Sequence, residues 1–218
     1  MEARLTNLLQ EMFACPPATA ASIVARATAK SWPPRHPVLR QGETSAETFL
    51  LIVGKARATL VSADGRLIRL QDLSPGDLFG AIDAAAEQPA DVVTLDQSEA
   101  ARFAAADFIA LVETHACVGL LLSRSLVRRL GWMTEKLLER STLSAVGRVH
   151  AELLRLARAG DGRTIVPAPV LAELAQRVQT TRETVSRTIS ALEKKGLVTR
   201  DATGLTIVAP HRLEELIY

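Results

Sequence analysis

Near the carboxyl end of the chain, apolar residues recur with the period of two short helices joined by a polar turn. The first predicted helix spans 171–178, and its apolar residues lie three or four positions apart: Leu171, Leu174, Ala175 and Val178. The second spans 181–195 and repeats this spacing with Val185, Ile189 and Leu192. Thr180 or Thr181 can cap the second helix, and Gly196 can supply its left-handed end.

The opposite face of the second helix is polar. Four side chains project there from the N-terminal turns, away from the apolar stripe: Arg182, Glu183, Ser186 and Arg187. A helix-turn-helix places those turns against base edges in the major groove of DNA, where Arg pairs with guanine and Glu accepts from the cytosine amine. The alternative is an ordinary solvated face, which charged residues form on most surface helices.

A predicted hairpin directly after this helix favours the DNA interpretation. Residues 197–200 and 205–208 alternate between apolar and polar, and the four residues between them, which end in Gly204, are typical of a turn. A hairpin at this place makes the unit a winged helix. Arg200 and Thr203 lie near the hairpin tip, where they can reach a DNA phosphate.

The amino-terminal half has a different pattern. Residues 1–30 favour short helices, ended by Trp32-Pro33-Pro34, and 20–29 are rich in helix-forming residues. From 38 to about 103, short apolar runs such as 49–53, 56–61 and 67–70 are separated by Gly, Asp and Pro. Several short strands at near-regular spacing predict an antiparallel sandwich or roll.

Residues 105–138 predict one long helix, because they contain no proline and glycine only at Gly119 and Gly131. A row of small and apolar residues runs along this helix: Gly119, Leu122, Leu126, Leu130, Met133 and Leu137. A helix of about 30 residues is roughly 45 Å long, more than one small core needs, so the row predicts pairing with a second copy. The alternative is a core helix packed only against its own sheet.

Residues 139–142 predict a hinge, followed by a helix over 145–159 that Ser144 caps. We therefore predict a β-rich domain over 1–104, a long helix with its hinge over 105–140, and a helix-turn-helix domain over 141–218. Residues 1–115 hold 10 Lys and Arg against 14 Asp and Glu, whereas residues 116–218 hold 16 against 10. The basic excess falls on the predicted DNA-binding part, so binding should weaken with salt.

The sequence offers little catalytic or metal-binding chemistry. It has no recognisable nucleophile–base pair, metal-ligand cluster or phosphate-binding glycine loop, so we expect no enzyme activity and no cofactor. Cys15 and Cys117 lie far apart in sequence, which favours free thiols in a reducing cytoplasm. No apolar run approaches the roughly 20 residues of a membrane span, and residues 1–12 lack the apolar core of a signal peptide.

Together these parts resemble the cyclic-AMP receptor protein/fumarate-nitrate regulator (Crp/Fnr) family of bacterial transcription factors. The resemblance rests on Arg40-Gln41-Gly42-Glu43, Ile52-Val53-Gly54-Lys55, the Pro-Gly-Asp-Leu-Phe-Gly run at 75–80, and the carboxyl segment 171–208. It implies an α+β fold with an N-terminal cyclic-nucleotide-binding-like antiparallel β-roll, a long dimerisation helix and a C-terminal winged helix-turn-helix. It also implies a homodimer on a two-fold symmetric DNA site, with RNA polymerase as a partner if the protein is an activator.

The resemblance assigns roles to single residues of the second predicted helix. Arg182, Glu183 and Arg187 match the base-contacting positions of the cyclic-AMP branch, which implies a half-site like TGTGA. Ser186 departs from that branch and matches the oxygen-sensing branch, whose half-site resembles TTGAT. The inner G·C pair is therefore the firmer expectation, and the flanking bases stay open. Thr181 and Thr184 are expected to contact DNA phosphate.

The family's nucleotide pocket is degenerate in this sequence. Its ribose-binding glutamate should closely follow Gly80, where Ala81 and Ile82 stand, and its phosphate-binding Arg-Ser pair is replaced by Ala90 and Asp91. Hydrogen bonds to charged groups contribute roughly 1.5–3 kcal/mol each, so we predict no meaningful binding of cyclic AMP. Thr134 matches the family's hydroxyl that contacts the base, and this one group cannot replace the others.

The input signal stays open at this point. A pocket rimmed by Ala81, Ile82, Ala90 and Val92 could accept a small apolar effector, or could be collapsed. An iron–sulfur sensor needs several cysteines near the amino terminus, where the sequence has only Cys15. Cys117 offers a redox switch at most, and the four histidines are too scattered to suggest haem ligands. A cyclic-nucleotide-responsive module whose tail binds protein is the remaining alternative.

Overall fold

The computed structural model describes residues 2–63, 65, 67–82 and 86–217. By its internal contacts the chain divides into two compact units, Met1–Leu130 and Gly131–Tyr218. The division falls inside a helix, and each unit has a hydrophobic core of its own. The three-part division at residues 104 and 140 stays a prediction.

The first unit begins with two helices, α1 (Glu2–Phe13) and α2 (Pro17–Val24), followed by strand β1 (Thr28–Trp32). The helical prediction for 20–29 is therefore wrong beyond Val24. Strand β1 pairs antiparallel with a later strand, from Thr28 opposite Arg102 to Trp32 opposite Ser98. Only Thr28 and Ala29 of the predicted helical stretch enter this strand, and at these two positions the pairing overrides local helix propensity.

The remaining strands of this unit confirm the antiparallel roll. One sheet has the order β1-β10-β4-β7, the second has the order β2-β9-β5-β6, and β3 pairs with β8. The bounds are β2 (Pro37–Leu39), β3 (Thr44–Ser45), β4 (Glu47–Val53), β5 (Ala56–Val61), β6 (Leu67–Leu73), β7 (Leu78–Gly80), β8 (Ala86–Glu87), β9 (Asp91–Thr94) and β10 (Ser98–Ala104).

Strand β4 lies at the centre of the first unit, because both of its faces are buried. Leu50 and Ile52 belong to a core that includes α1 and α2, whereas Phe49 and Leu51 belong to a second core between the sheets. In the second core Phe49 stacks on Phe79, with ring centroids 5.1 Å apart. The continuous apolar run at 49–53 is explained by this position between two layers.

The predicted single helix over 105–138 is wrong, because the chain forms two helices, α3 (Ala105–Thr114) and α4 (Ala116–Thr142), bent by 111°. His115 between them is extended, with φ −126° and ψ 107°. Phe108 and Leu111 of α3 and Val118 of α4 are buried in the same core, and the bend lets all three reach it. His115 is neither proline nor glycine, so the sequence carries no local signal for this break.

The predicted hinge at 139–142 is also wrong, because α4 continues to Thr142 and the break falls at Leu143 and Ser144. The predicted cap is confirmed: the Ser144 hydroxyl accepts from the backbone N–H of Gly147 at 3.0 Å and begins α5 (Ala145–Arg158). Among the described residues no single helix is long and apolar enough to cross a membrane, although α3 and α4 pass such a test as a bent pair.

The second unit confirms the winged helix-turn-helix. After α5 come β11 (Thr164–Ile165), α6 (Leu171–Val178), α7 (Arg182–Lys194), β12 (Val198–Arg200), β13 (Leu205–Ile207) and α8 (Pro210–Glu215). The sheet has the order β11-β13-β12, so the predicted hairpin gains a third, short strand. Apolar residues from α5, α6, α7 and α8 pack in one core, among them Leu153, Leu174, Val185, Ile189 and Leu213.

Candidate nucleic-acid interface

Helix α7 starts at a well-formed cap. Of the two threonines proposed for this role, Thr181 is the cap: its hydroxyl accepts from the backbone N–H of Thr184 at 3.2 Å. The hydroxyls of Thr181 and Thr184 also lie 3.0 Å apart and bond to one another. The two threonines predicted to contact phosphate therefore stand at the positive end of the helix dipole, which favours an anion.

The two faces of α7 differ in the way the sequence predicts. Val185, Ile189 and Leu192 are buried in the core of the second unit. The four predicted base contacts are all exposed and together line one open depression on the protein surface: Arg182, Glu183, Ser186 and Arg187. The structure thus brings these four side chains together on one face of α7. The opposite face of the same turns is packed in the core of the second unit.

Glu183 is held in its charged form. Its own backbone N–H and the Thr181 hydroxyl lower the pKa of the carboxyl group, and the nearby charges of Arg182 and Arg187 add to this effect. An ionised carboxylate only accepts hydrogen bonds. Glu183 can therefore accept a hydrogen bond from a cytosine amine at neutral pH, and the charges of Arg182 and Arg187 are close enough to favour its ionised form.

The turn between α6 and α7 is fixed by Arg148, a residue on α5 that the sequence analysis missed. Helix α6 ends at Val178 and is followed by the capping residue Gln179, which has a left-handed φ of 51°. The Arg148 guanidinium donates to the carbonyl oxygens of Val178 at 2.9 Å and Gln179 at 3.4 Å. These are carbonyls that the end of a helix leaves without a helical partner. No sequence signal distinguishes Arg148 from other arginines of α5.

The wing is shaped by Asp201, whose carboxylate Oδ1 accepts from the Thr203 hydroxyl and from the backbone N–H groups of Thr203 and Gly204, at 2.6, 2.7 and 2.9 Å. These bonds, the Thr203 hydroxyl first, lower the pKa of Asp201. Arg200 forms an exposed ion pair with Glu193 at 3.1 Å. Such pairs are weak, so Arg200 can exchange this partner for a phosphate.

The residues predicted for the degenerate pocket lie in the roll, with the exception of Thr134. Gly80 has φ +95°, and a Cβ there would lie 2.3 Å from the Glu47 carbonyl oxygen. Ala81 and Ala90 are buried, and Ile82 is half-buried. Asp91 already accepts from the backbone N–H of Gln41 at 2.8 Å. Thr134 lies on α4, in the second unit.

The predicted dimer row on α4 has two parts. Leu122 packs against the core of the first unit, and a Cβ on Gly119 would lie 3.8 Å from the Val112 side chain. Later members of the row are large and exposed: Leu126 (50%), Leu130 (66%), Met133 (54%) and Leu137 (66%). The start of the row, at Gly119 and Leu122, therefore fits the alternative of a helix that packs only on its own core. The exposed residues from Leu126 onward do not fit that alternative.

Cys15 and Cys117 are free thiols that share one core, although they lie far apart in sequence. Burial, and then the neighbouring Cys117, raise the pKa of the Cys15 thiol. A raised pKa keeps the thiol protonated and therefore a poor nucleophile. This environment does not favour Cys15 as a reactive group.

Both halves of the chain match known families. A profile of the Crp-like helix-turn-helix domain matches residues 147–216, and one of the cyclic nucleotide-binding domain matches residues 29–115. The cyclic AMP receptor protein of Thermus thermophilus is 31% identical over 196 residues, which cover 86% of this chain and 87% of that protein. The cAMP-activated global transcriptional regulator CRP of Salmonella typhimurium is 27% identical, covering 81% of this chain and 87% of its own.

Solved structures share the same fold. A mutant of CooA from Carboxydothermus hydrogenoformans superposes with a TM-score of 0.76 at 18% identity, covering 96% of this chain and 95% of that one. The c-di-GMP responsive global regulator CLP of Xanthomonas campestris superposes with a TM-score of 0.75 at 20% identity, covering 89% and 100%.

Proposed function

The chain belongs to the Crp/Fnr family of transcription regulators, which are not enzymes, and we propose that it acts as a homodimer on a two-fold symmetric DNA site. The observation that carries this proposal is the start of α7. Its first turns are capped by Thr181, held by a buried apolar face, and furnished with four exposed polar side chains on one surface. A helix end of this kind fits the major groove.

The same four side chains support a half-site that resembles TGTGA or TTGA. Arg187 and Glu183 can pair with the guanine and the cytosine of one base pair, because a guanidinium donates to guanine and a carboxylate accepts from cytosine. Arg182 and Ser186 contact the flanking bases in this proposal. Thr181, Thr184 and Arg200 hold the DNA backbone, which positions the helix without selecting sequence.

The dimer forms along α4 in this proposal. Leu126, Leu130, Met133 and Leu137 expose an apolar row over several helical turns, and apolar rows at this spacing are typical of paired helices. Contiguous exposed apolar surface on a globular protein commonly marks an interface. Two copies related by a two-fold axis would place one recognition helix on each half-site.

We propose that DNA binding does not depend on cyclic AMP. Relatives named for cyclic AMP and the profile match over 29–115 make nucleotide control the first alternative. Three features oppose it. Ala81 offers no carboxylate to accept from the ribose hydroxyl, Ala90 offers no cation to the phosphate, and the Asp91 carboxylate, which accepts from the Gln41 backbone N–H, would repel a phosphate.

Another input, either a small apolar effector in the roll or a redox signal, is compatible with this proposal. RNA polymerase is a further partner if the protein activates transcription. A nucleotide-responsive module that binds protein through its tail is the competing function. The exposed base-contacting side chains of α7 favour DNA over that alternative.

Selection from a random duplex pool, with the purified full chain and no added nucleotide, tests the proposal. We expect enrichment of inverted repeats that contain an inner G·C pair in each half and lie about one helical turn apart. Enrichment that requires cyclic AMP would overturn the independence from nucleotide. Failure to enrich any repeat, with or without cyclic AMP, would overturn DNA reading itself.

A further inference from the structure

A network of charged side chains joins three helices of the second unit. Lys136 and Glu139 come from α4, Glu152 and Arg155 from α5, and Arg177 from α6. Lys136 Nζ lies 2.9 Å from Glu139 Oε2 and 3.7 Å from Glu152 Oε2. Arg177 Nη1 lies 3.1 Å from Glu152 Oε1, and Arg155 bonds to both Glu152 and Glu139.

Glu152 is the centre of this network. Its side chain is 4% exposed, whereas those of Lys136, Arg155 and Arg177 are 20%, 39% and 30% exposed. Both carboxylate oxygens have cationic partners: Arg177 on one, and Arg155 and Lys136 on the other. A buried carboxylate without such partners is strongly unfavourable, so Glu152 holds α4 and α6 at defined places against α5.

Arg148 repeats the same connection one helical turn earlier on α5. Its guanidinium donates to the Leu143 carbonyl, directly after the end of α4, at 3.0 Å. It also donates to the Val178 and Gln179 carbonyls at the end of α6. Helix α5 is therefore connected to the end of α4 and to α6 at two positions, through the cationic side chain of Arg148 and the anionic side chain of Glu152. Two separated connections restrict the rotation of α6 relative to α4, which a single connection would allow.

We propose that Glu152 and Arg148 are positioning residues that set the angle between the end of α4 and the helix-turn-helix, and thereby the half-site spacing that the dimer accepts. This inference rests on the proposed dimer along α4. In such a dimer, α4 fixes the symmetry axis and α6 carries α7. Rotation of α6 relative to the end of α4 changes the distance between the two copies of α7. One base pair of spacing corresponds to about 3.4 Å along the DNA.

The test measures the affinity of full-length variants for inverted repeats whose spacer is shortened or lengthened by single base pairs, and for a duplex with one half-site. The variant is Glu152→Gln, which keeps the side-chain shape and removes the charge. The matched control is Glu214→Gln, which removes a carboxylate from an exposed ion pair with Arg158 in the same unit. Circular dichroism melting establishes that each variant is folded.

We expect wild type and Glu214→Gln to share one sharp spacing optimum. Glu152→Gln should bind the optimal repeat about 3- to 30-fold more weakly, as changes in coupling networks typically do, and bind the neighbouring spacers with smaller losses or none. Its affinity for the single half-site should stay unchanged, because the reading surface of α7 is intact. An equal loss on all duplexes would indicate a structural role only and would overturn the inference.

Arg177→Gln decides the question if Glu152→Gln does not fold. It removes only the tie to α6 and leaves Glu152 paired with Arg155 and Lys136. A broadened spacing profile supports the positioning role, and an unchanged profile overturns it. Failure of the proposed function is distinguishable, since wild type itself would then show no preference for any repeat.

Discussion

The Thr181 hydroxyl accepts a hydrogen bond from the backbone N–H of Thr184 at 3.2 Å, and this bond closes the first turn of α7. Arg182 and Glu183 stand on that turn, so their side chains start from a fixed backbone. Val185, the residue after Thr184, is completely buried. The exposed face of α7 that carries these side chains is therefore fixed by the cap at its first turn and by the buried apolar face on the other side of the helix.

Thr181→Ala removes this cap. We expect the free energy of unfolding of the second unit to fall by roughly 0.5–2 kcal/mol, the usual range for a lost N-cap. Chemical denaturation of both variants checks this, with Thr180→Ala as the matched control. Thr180 is the neighbouring threonine and is not the cap, so an equal loss in Thr180→Ala would contradict the assignment.

We expect His150 to make the second unit less stable in acid. Burial lowers the pKa of this imidazole below its usual value, and the charge of Lys195 adds to the effect, although a hydrogen bond with the Leu216 carbonyl opposes it. The folded state therefore favours neutral His150, whereas the unfolded chain takes up its proton near pH 6.5. This contribution to stability is fully present above about pH 6.5 and is lost as the pH falls through the lowered value.

Urea unfolding between about pH 7.5 and 5 checks the effect of His150. His150→Asn keeps a donor for the Leu216 carbonyl and cannot titrate, so its stability should decline less steeply with acid than that of wild type. His211→Asn, on the exposed surface of α8, keeps His150 and should retain the wild-type decline. If the free energy of unfolding of His150→Asn fell with acid as steeply as that of wild type, another group would be responsible for the loss of stability.

Leu130→Glu should separate the dimer. A glutamate in the middle of the proposed α4 seam would place two like charges in an apolar interface, at a cost of about 3 kcal/mol or more, or roughly 100-fold in dissociation constant. Analytical ultracentrifugation measures this. Val61→Glu introduces the same charge at an exposed apolar residue of β5 and should leave the dimer intact. A fully dimeric Leu130→Glu would place the interface elsewhere.

Calorimetric titration should detect no micromolar binding of cyclic AMP or cyclic GMP to the full chain. The reason is the absence of a cationic donor at Ala90 and the position of the Asp91 carboxylate beside it. The affinity for the selected DNA should likewise be unchanged by either nucleotide. Micromolar binding of either one would contradict this part of the account.

Strong local periodicity explains what the sequence could predict. Helix α6 has the predicted bounds, and α7 agrees within one residue at each end, because apolar spacing, cap and terminal glycine all agree. The bend at His115 was not predictable in this way, since burial of Phe108, Leu111 and Val118 in one core requires it. The strand at Thr28–Trp32 likewise depends on a partner far along the chain.

In the candidate site, too, local patterns were predictable and contacts between distant parts of the chain were not. The four exposed side chains of α7 were predictable because they share one helix face. Arg148 and Glu152 were not, because their roles come from carbonyls and cations on other helices. Sequence periodicity identifies the surface that we propose faces DNA, whereas the contacts of Arg148 and Glu152 with other helices are visible only in three dimensions.

In the proposed complex with DNA, Arg187 contacts the inner G·C pair of each half-site. The most direct measurement is a double-mutant cycle of binding free energies, with Arg187→Ala in the protein and inner G·C to A·T in the duplex. Arg187→Ala should lose roughly 1–3 kcal/mol on the G·C site and lose discrimination between the two duplexes. Arg212→Ala, an exposed arginine on α8, should keep full discrimination. Additive effects of the protein and duplex changes, with discrimination unchanged in Arg187→Ala, would contradict the account.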